Sequence, residues 1–239
     1  MARRRFFVDR IHGNHAELTG DDARHLARVL RAEPGQRYEV SDNQRAYLAE
    51  IAAITGQRVT FAILEPLPAP PPSPDITLFA ALFKFDRFEW LIEKATELGV
   101  SRLVPVTAER TEKGLAAAAL KRVERWRKIA RESSQQSRRV RMPEIAPAEP
   151  FSAAAADTSP HRLFLDEQPG APPLLQALPT NAGAVAILTG PEGGWTDRER
   201  SLALSSGWKP VWLGANILRA ETAAIAALAL VIQSCQTRS

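Results

Sequence analysis

The sequence predicts an α/β domain built on a parallel sheet, preceded by a small domain made mostly of β-strands. Three observations lead to this prediction. After about residue 76, short apolar runs alternate with amphipathic helical segments, which is typical of strands that are buried on both faces of a sheet. Before that point, short strand-like runs are separated by turn-forming residues.

The third observation is a proline-rich stretch between the two parts. Six of the 18 prolines of the 239-residue chain fall within residues 66–74. Because proline fixes φ and lacks a backbone donor, this stretch predicts an extended linker. The expected bounds are therefore residues 1–66 for the first domain, 67–75 for the linker and 76–239 for the second domain.

The first domain is predicted to be a small β-barrel interrupted by one helix. The strand-like runs are residues 38–40, 46–51 and 59–63. Asp21 and Asp22 are expected to cap the start of the helix. Its apolar stripe would consist of Leu26, Val29 and Leu30, and its other face would carry Arg24, Arg28 and Arg31. Taken alone, those arginines are better explained as a solvated helix face.

The second domain shows five strand-like runs, at residues 76–83, 103–106, 163–165, 184–188 and 211–213. A helix is predicted from the spacing of Phe88, Leu91, Ile92, Ala95 and Leu98, and Gly99 should end it. A second helix is predicted from Val123, Trp126, Ile129 and Ala130. Ligands of parallel sheets bind at the carboxyl ends of the strands. We therefore expect the site in the loops that follow Leu188 and Leu213.

The positive charge of the chain is concentrated in one segment. The formal net charge is +4, and residues 121–141 hold nine Lys or Arg against two acids, so this segment carries +7 and the rest of the chain −3. A local excess of this kind is typical of a nucleic-acid contact. A solvated helix face explains Lys121, Arg122 and Arg125 well, but explains the cluster of Arg138, Arg139 and Arg141 less well.

Cysteine, histidine and hydropathy patterns argue against several other classes of protein. The single Cys235 excludes an intrachain disulfide and cysteine-cluster zinc sites. No metal is expected, because the four histidines lack a zinc-motif spacing. Neither a signal peptide nor a run long enough to span a bilayer is evident, so a cytoplasmic protein is expected.

The first loop of interest, residues 188–196, places three glycines directly after a strand. Glycine lets the backbone approach a ligand closely, although a glycine-rich turn without a ligand is the common alternative. Thr196 and Glu199 form the Thr-x-x-Glu pattern of a capping box, so a helix should begin here.

The second loop, residues 213–222, leads into a stretch over residues 223–231 that is apolar all round and is expected to be a buried helix. Arg219 and Glu221 lie at its mouth. They could serve a ligand, or they could form a structural ion pair or a contact with the helix dipole.

Taken together, the two loops resemble those of the RsmE family of the SPOUT superfamily, the uridine-N3 methyltransferases of 16S ribosomal RNA. The resemblance rests on the Leu-Thr-Gly-Pro-Glu-Gly-Gly run at residues 188–194 and on Leu-Gly-x-x-Ile-Leu-Arg-x-Glu-Thr-Ala at residues 213–223. Further similar segments are residues 25–31, 84–100, 108–111 and 136–139. The chain departs from the family pattern at Phe85, Ala215, Asn216 and Ala220.

The resemblance implies a PUA-like N-terminal barrel, a C-terminal sheet with a deep trefoil knot, a homodimer, and S-adenosylmethionine as cofactor. It places the cofactor against Leu165, Leu188, Thr189, Gly190, Gly193, Gly194, Leu213, Gly214, Ile217, Leu218 and Ala220. The partner would be 16S ribosomal RNA or the small ribosomal subunit. We expect RNA contacts from Arg28, Arg31, Lys84, Arg138, Arg139 and Arg141.

Methylation at N3 requires that the N3 proton leave. Arg219 is the candidate for stabilising the developing negative charge, and Glu221 or Glu192 could orient it or take the proton. The sequence does not decide between the two acids. Two alternatives stay open at this point: a ribose 2′-O methyltransferase of the same superfamily, and a non-catalytic RNA-binding protein of ribosome assembly.

Overall fold

The structure is a computed structural model that describes residues 4–71, 73–168, 170–178 and 183–236, with the side chains of residues 235 and 236 left out. The chain divides into two compact units. The first unit comprises Met1–Pro71 and Arg131–Met142, and the second comprises Pro72–Ala130 and Pro143–Ser239.

The first unit contains a six-stranded sheet. Its strands are β1 (Arg5–Phe7), β2 (Arg10–His12), β3 (His15–Thr19), β4 (Arg37–Ser41), β5 (Ala46–Thr55) and β6 (Arg58–Pro66). The sheet order is β1-β4-β5-β6-β3-β2, with β1 parallel to β4 and the other neighbours antiparallel. Alternate residues such as Phe6, Leu18, Val40 and Phe61 form a fully buried core. The three predicted strands are confirmed.

The predicted helix of this unit is present but differs in detail. Helix α1 (Gly20–Arg24) continues as a π-helix (His25–Val29), in which the Leu30 amide donates to the His25 carbonyl over 3.0 Å. The extra residue in this turn breaks the 3.6-residue period. As a result Leu26 is buried, whereas Val29 is 66% exposed and Leu30 is also exposed, so the predicted stripe of three residues is wrong.

The predicted cap of this helix is also wrong. The N-cap residue is Thr19, and no side chain caps the helix start. Asp21 and Asp22 lie in the first turn, where a negative charge is favourable beside the helix dipole. Asp22 accepts hydrogen bonds from Arg131 at 2.6 Å and from Gln135 at 2.9 Å.

Residues 131–142 belong to the first unit through an ion-pair network. Arg5 donates to Glu39 at 2.8 Å, and Arg138 also binds Glu39, with one contact at 3.1 Å. Arg5 further donates to the Arg138 carbonyl at 2.5 Å. Because both the Arg5 and Glu39 side chains are only 9% exposed, breaking this network would leave a buried charge without its partner. The sequence analysis placed a domain boundary only in the proline stretch and did not predict that residues 131–142 belong to the first unit. The predicted domain bounds otherwise stay predictions.

The second unit contains a seven-stranded sheet with helices on both faces. Its strands are β7 (Asp75–Ala81), β8 (Arg102–Thr107), β9 (Glu144–Ile145), β10 (Glu149–Pro150), β11 (His161–Leu165), β12 (Ala184–Thr189) and β13 (Lys209–Val211). The order is β10-β8-β7-β12-β11-β13, with β9 also beside β8. Each pairing in the described part of this sheet is parallel, as predicted.

Helices follow or precede most of these strands. They are α2 (Phe85–Leu98), α3 (Leu115–Leu120), α4 (Val123–Gln136), α5 (Phe151–Ala155), α6 (Leu174–Ala177), α7 (Asp197–Ser205) and α8 (Ala220–Gln236). The division between the two units falls within α4. The predicted α2 is confirmed: its apolar stripe is buried, and Gly99 ends it in the left-handed conformation at φ 110°. None of the helices in the described ranges is long and apolar enough to cross a membrane.

Successive residues of β7 point to opposite faces of the sheet and into two separate cores. Leu78 and Ala80 pack in the core that contains α2 and α8, whereas Phe79 and Ala81 pack in the core that contains Trp195 and Trp208. Helix α8 buries only one stripe within this chain, because Leu230 on another side is exposed. The expectation that it is buried all round is therefore wrong for the single chain.

The register of three strands determines where the unit can hold a ligand. Strand β11 lies between β12 and β13, and Leu165 at its end pairs with Val211 at the end of β13. On the other side Phe164 pairs with Leu188, one residue before the end of β12. Because all three strands run in the same direction, their carboxyl ends meet at one edge of the sheet. The strand predicted at residues 211–213 ends earlier, so the loop begins at Trp212.

Candidate active site

A cavity of about 1060 Å³ lies at this edge of the sheet. Three segments form its wall, one after each of β11, β12 and β13, and Arg87 of α2 completes it. The wall residues lie within the ranges 165–173, 190–195 and 211–223. The two loops predicted from the sequence thus face the same space.

Most of the residues that the sequence assigns to the cofactor line this cavity. They are Leu165, Gly190, Gly193, Gly194, Leu213, Gly214, Ile217, Leu218 and Ala220. Leu188 and Thr189 do not line it. Leu188 is fully buried in the core, and the buried Thr189 hydroxyl lies 3.4 Å from the Phe79 carbonyl oxygen. These two residues shape the loop from behind, and a direct cofactor contact from them stays a prediction.

The glycines of the first loop are needed mainly because protein side chains pack against them. A Cβ atom on Gly190 would lie 3.1 Å from the Trp195 ring, and one on Gly194 would lie 2.8 Å from a Glu167 carboxylate oxygen. A Cβ atom on Gly193 would lie 3.3 Å from Cβ of Arg110. The absence of side chains at these glycines thus lets Trp195, Arg110 and Glu167 pack closely against the loop backbone.

Trp195 joins the first loop to the end of β11. Its indole N–H donates to the Leu165 carbonyl at 2.9 Å, and its ring stacks on Phe164 with 5.1 Å between centroids. Arg110, from the segment after β8, donates to the Gly193 carbonyl of the loop at 2.8 Å. These contacts hold the backbone of the loop in one conformation.

The helix after this loop begins as predicted. Thr196 caps α7, and Thr196 and Glu199 form both hydrogen bonds of a capping box. Glu199 also accepts from the Glu109 amide at 2.8 Å. The capping box therefore fixes the loop to a second segment of the unit as well as starting the helix.

The third wall segment, which follows β11, was missed by the sequence analysis beyond Leu165. Arg200 of α7 binds Asp166 at 3.1 Å and donates to the Trp195 carbonyl at 2.7 Å. Glu167 next to Asp166 also lines the cavity. The rule that ligands bind at the carboxyl ends of strands, applied to the predicted strand at residues 163–165, would have found this segment.

The charged groups of the site form an arrangement that differs from the predicted one. Arg87 Nη1 lies 2.9 Å from Glu192 Oε1, and Arg87 Nε lies 3.9 Å from Glu221 Oε1. The Glu221 side chain is only 7% exposed, and its second oxygen has no hydrogen-bond partner among the described residues. Both candidate acids therefore lie within ion-pair distance of the same cation, Arg87 of α2. The sequence analysis did not single out Arg87.

Arg219 has neither of these acids as a partner. Its side chain is exposed on the cavity wall, and within the described ranges it forms neither a hydrogen bond nor an ion pair. Of the two structural alternatives for Arg219 and Glu221, the mutual ion pair is therefore absent from the described residues. The helix-dipole alternative holds for Glu221, which lies in the first turn of α8. A cation that faces a cavity without a protein partner is available to a ligand.

The residues predicted to contact RNA differ in how far they are engaged within the protein. Arg28, Arg31, Lys84 and Arg141 are exposed. Arg138 is bound to Glu39, as described above. Arg139 donates to the Arg141 carbonyl at 3.0 Å, and burial lowers its pKa to about 10. Nothing in these contacts tests a role in RNA binding.

Arg125 is exposed and Arg122 is partly exposed, as the solvated-face interpretation requires, but both also form ion pairs within the unit. Both bind Glu89 of α2, at 3.0 and 2.7 Å, and the hydrogen bond from Arg125 lowers the pKa of that carboxyl. Arg122 also lies over the ring of Phe85, 4.4 Å from its centroid. Phe85, which stands where the family has glycine, thus has a packing role.

The described residues contain no group of three or more His, Cys, Asp or Glu side chains that could hold a metal ion.

Comparison with known proteins identifies the family of this chain. An RNA methyltransferase domain model matches residues 70–232, and an RNA methyltransferase PUA domain model matches residues 18–64. The ribosomal RNA small subunit methyltransferase E of Synechocystis is 36% identical over 227 residues, which cover 90% of this chain and 71% of that protein. The protein of the same name from Aquifex aeolicus is 27% identical over 228 residues, which cover 95% of this chain and 98% of that protein.

The fold is similar to that of a crystal structure as well. The ribosomal RNA small subunit methyltransferase E of Neisseria gonorrhoeae, bound to S-adenosylmethionine, superposes with a TM-score of 0.86 at 29% identity, covering 95% of this chain and 96% of that one. The matched domain model spans more than half of the sequence, and the family resemblance predicted from the sequence is confirmed. The chain therefore belongs to the ribosomal RNA small subunit methyltransferase E family, which is the RsmE family.

Proposed function

We propose that this protein transfers a methyl group from S-adenosylmethionine to N3 of a uridine in 16S ribosomal RNA. The observation that carries the proposal is the single cavity into which both family loops open, at the carboxyl ends of β11, β12 and β13. The family membership supports the reaction class, and the Neisseria structure supports the cofactor. The position N3 and the nucleotide class come from the resemblance of the loops.

The residues present fit this cofactor. The wall combines apolar side chains, which suit a flat base, with loop backbone and several charged side chains, which suit a polar amino-acid moiety. Three acids and two arginines line the cavity, and Asp166 is already paired with Arg200. Glu221 lies beside the wall and not on it, and one of its oxygens is buried without a hydrogen-bond partner among the described residues. When bound, S-adenosylmethionine supplies a methyl group on a sulfonium centre whose leaving thioether is neutral.

The chain's own residues have to manage the charge of the target base. As the N3 proton leaves, negative charge develops over N3 and the ring oxygens. Arg219 stabilises that charge, because its guanidinium faces the cavity and is not committed to a protein carboxylate. Glu192 and Glu221 remain the two candidates for accepting the proton, and Arg87 positions both of them.

The RNA partner is proposed to be 16S ribosomal RNA or the small ribosomal subunit. Arg28, Arg31, Lys84 and Arg141 support this, because they are exposed cations that can reach phosphate. Arg138 and Arg139 have internal partners, so we expect weaker RNA contributions from them. A cytoplasmic location accords with this partner.

A homodimer is also proposed, with α8 at the interface. Its supporting observation is that Leu230 of α8 is exposed, whereas Leu228 and Val231 on the same helix are fully buried. A helix that is apolar on more faces than its own unit covers is typical of a contact between chains. The trefoil knot stays a prediction from the family resemblance.

The activity can be tested on small-subunit RNA with S-adenosylmethionine. We expect nucleoside mass spectrometry to show 3-methyluridine, and reverse transcription to stop at the site because N3 lies on the pairing edge. Arg219→Ala should lower the rate about 100-fold, as loss of one charge-stabilising donor typically does. Arg198→Ala, at an exposed arginine of α7 outside the cavity wall, should leave the rate unchanged.

Two outcomes would contradict the proposed reaction. A 2′-O-methylated nucleoside in place of 3-methyluridine would move the protein to the ribose methyltransferases. Cofactor binding without methylation of either RNA or assembled subunits would favour the non-catalytic alternative.

The positioning role of Arg87 predicts coupling between Arg87 and Glu192. Arg87→Gln should lower the methylation rate at least tenfold, and Arg87→Lys should recover part of it. In a double-mutant cycle with Glu192→Gln, the two losses should fall well short of additive, because the residues share one ion pair. The matched control is Arg122→Gln. This change removes an ion pair to Glu89, which lies on the same helix α2 as Arg87. Additive losses, or an equal effect of the control, would remove Arg87 from the site.

RNA affinity across a salt series tests the phosphate contacts. If Arg28, Arg31 and Arg141 each contact one phosphate, the triple alanine variant should flatten the log–log salt slope by about two to three units. The control is Arg37→Ala with Arg58→Ala, since these exposed arginines of the same unit are paired with Glu50 and Glu17. A triple variant with an intact fold and an unchanged slope would leave these arginines as surface charge.

A further inference from the structure

Trp212 is an aromatic side chain on the cavity wall to which no role has been given. It directly follows β13, and 37% of its surface is exposed. Its backbone is fixed on both sides: the Trp212 amide donates to the Pro172 carbonyl at 3.1 Å, and the Trp212 carbonyl accepts from the Leu174 amide at 3.0 Å. The ring is therefore presented to the cavity from a rigid support.

The other tryptophan on this wall is not available to a ligand. Trp195 is buried, its ring is packed between Phe151 and Phe164, and its N–H is donated to the Leu165 carbonyl. The indole side chain of Trp212, by contrast, has neither a ring partner nor a hydrogen-bond partner among the described residues. Of the two tryptophans on the described wall, Trp212 is the exposed one.

The surroundings of Trp212 suit a flat apolar ring with polar edges. Leu165, Pro173 and Leu213 line the same cavity and provide apolar surface, while Glu167 and the loop backbone provide polar groups. An aromatic side chain with an open face in a concave site stacks well on a heteroaromatic base, whose polar edges can be satisfied by groups around the rim.

We propose that Trp212 is a stacking platform for a heteroaromatic base bound in this cavity. In terms of the proposed function, which this inference deepens, the base is either the adenine of the cofactor or the uracil of the target RNA. The chemistry is the same for both, and the two sources are distinguished by which ligand loses affinity when the ring is removed.

The test uses the full-length protein and three variants. Trp212→Phe keeps an aromatic face, Trp212→Leu keeps only an apolar one, and Trp90→Leu removes an exposed tryptophan of α2 that is not on the wall. If adenine stacks here, the Kd of adenosine and of S-adenosylmethionine should rise about tenfold or more in Trp212→Leu, and clearly less in Trp212→Phe. The Kd of free methionine and the behaviour of Trp90→Leu should not change.

If uracil stacks here, the KM for RNA should rise in Trp212→Leu, again with recovery in Trp212→Phe, while adenosine binds as in the wild type. Equal losses in the phenylalanine and leucine variants, or no loss for either ligand, would overturn the platform.

If Trp212→Leu does not fold, a fluorescence measurement still tests whether Trp212 stacks on a base. In a Trp90→Phe background, adenosine or a uridine-containing oligonucleotide should quench the emission of the protein, because Trp126, Trp195 and Trp208 are buried. That quenching should vanish in Trp212→Phe, and quenching that persists there would reject the role. Because binding of adenosine needs no methyl transfer, quenching by adenosine without RNA methylation would overturn the proposed reaction and leave the platform intact.

Discussion

The site depends on the parallel alignment of three neighbouring strands. β12, β11 and β13 run in the same direction, and Leu165 pairs with Val211 at their common end. A shift of one residue in either pairing would move a loop by more than 3 Å and turn its first side chain to the other face of the sheet. The positions of the wall segments, and with them those of the charged residues and of the exposed Trp212, depend on this register.

The alignment alone does not give the loops a defined shape, because irregular backbone at a sheet edge has few hydrogen bonds of its own. Here buried or partly buried side chains supply them. Trp195, Arg110 and Arg200 each donate to a backbone carbonyl of the wall segments. Such support from behind the wall keeps the ligand-facing surface in place before a ligand arrives, which reduces the cost of ordering it on binding.

The sequence predicted the elements that local patterns determine. α2 with its end at Gly99 and the capping box at Thr196 depend on residues close in the chain, and both are present. The strands of the parallel sheet were predicted from local apolar runs, and their alternation with helices predicted the parallel pairing that the structure shows. The two loops were found because glycine and charged residues followed predicted strands. Both open into the cavity.

The features that were missed depend on contacts between distant residues or on small changes of helix period. Arg87 and Glu192 are 105 positions apart, so no spacing rule connects them. The network that includes Arg138 and Glu39 likewise joins residues 99 positions apart and draws residues 131–142 into the first unit. At Val29, one extra residue in a π-helical turn was enough to expose a side chain that a regular helix would have buried.

Binding of S-adenosylmethionine, measured by calorimetry, is the decisive measurement, because the proposed methyl transfer requires that the cofactor occupy this cavity. The informative variant is Leu218→Lys, which places a cation on the wall where a positively charged sulfonium ligand would lie. Its matched control is Leu202→Lys, at a leucine of α7 that is similarly exposed, 39% against 37%, but not on the wall. We expect one cofactor per chain in the wild type and the control, and at least tenfold weaker binding in Leu218→Lys at an unchanged melting temperature. Wild-type protein that does not bind the cofactor, or equal affinity in both lysine variants, would contradict this expectation.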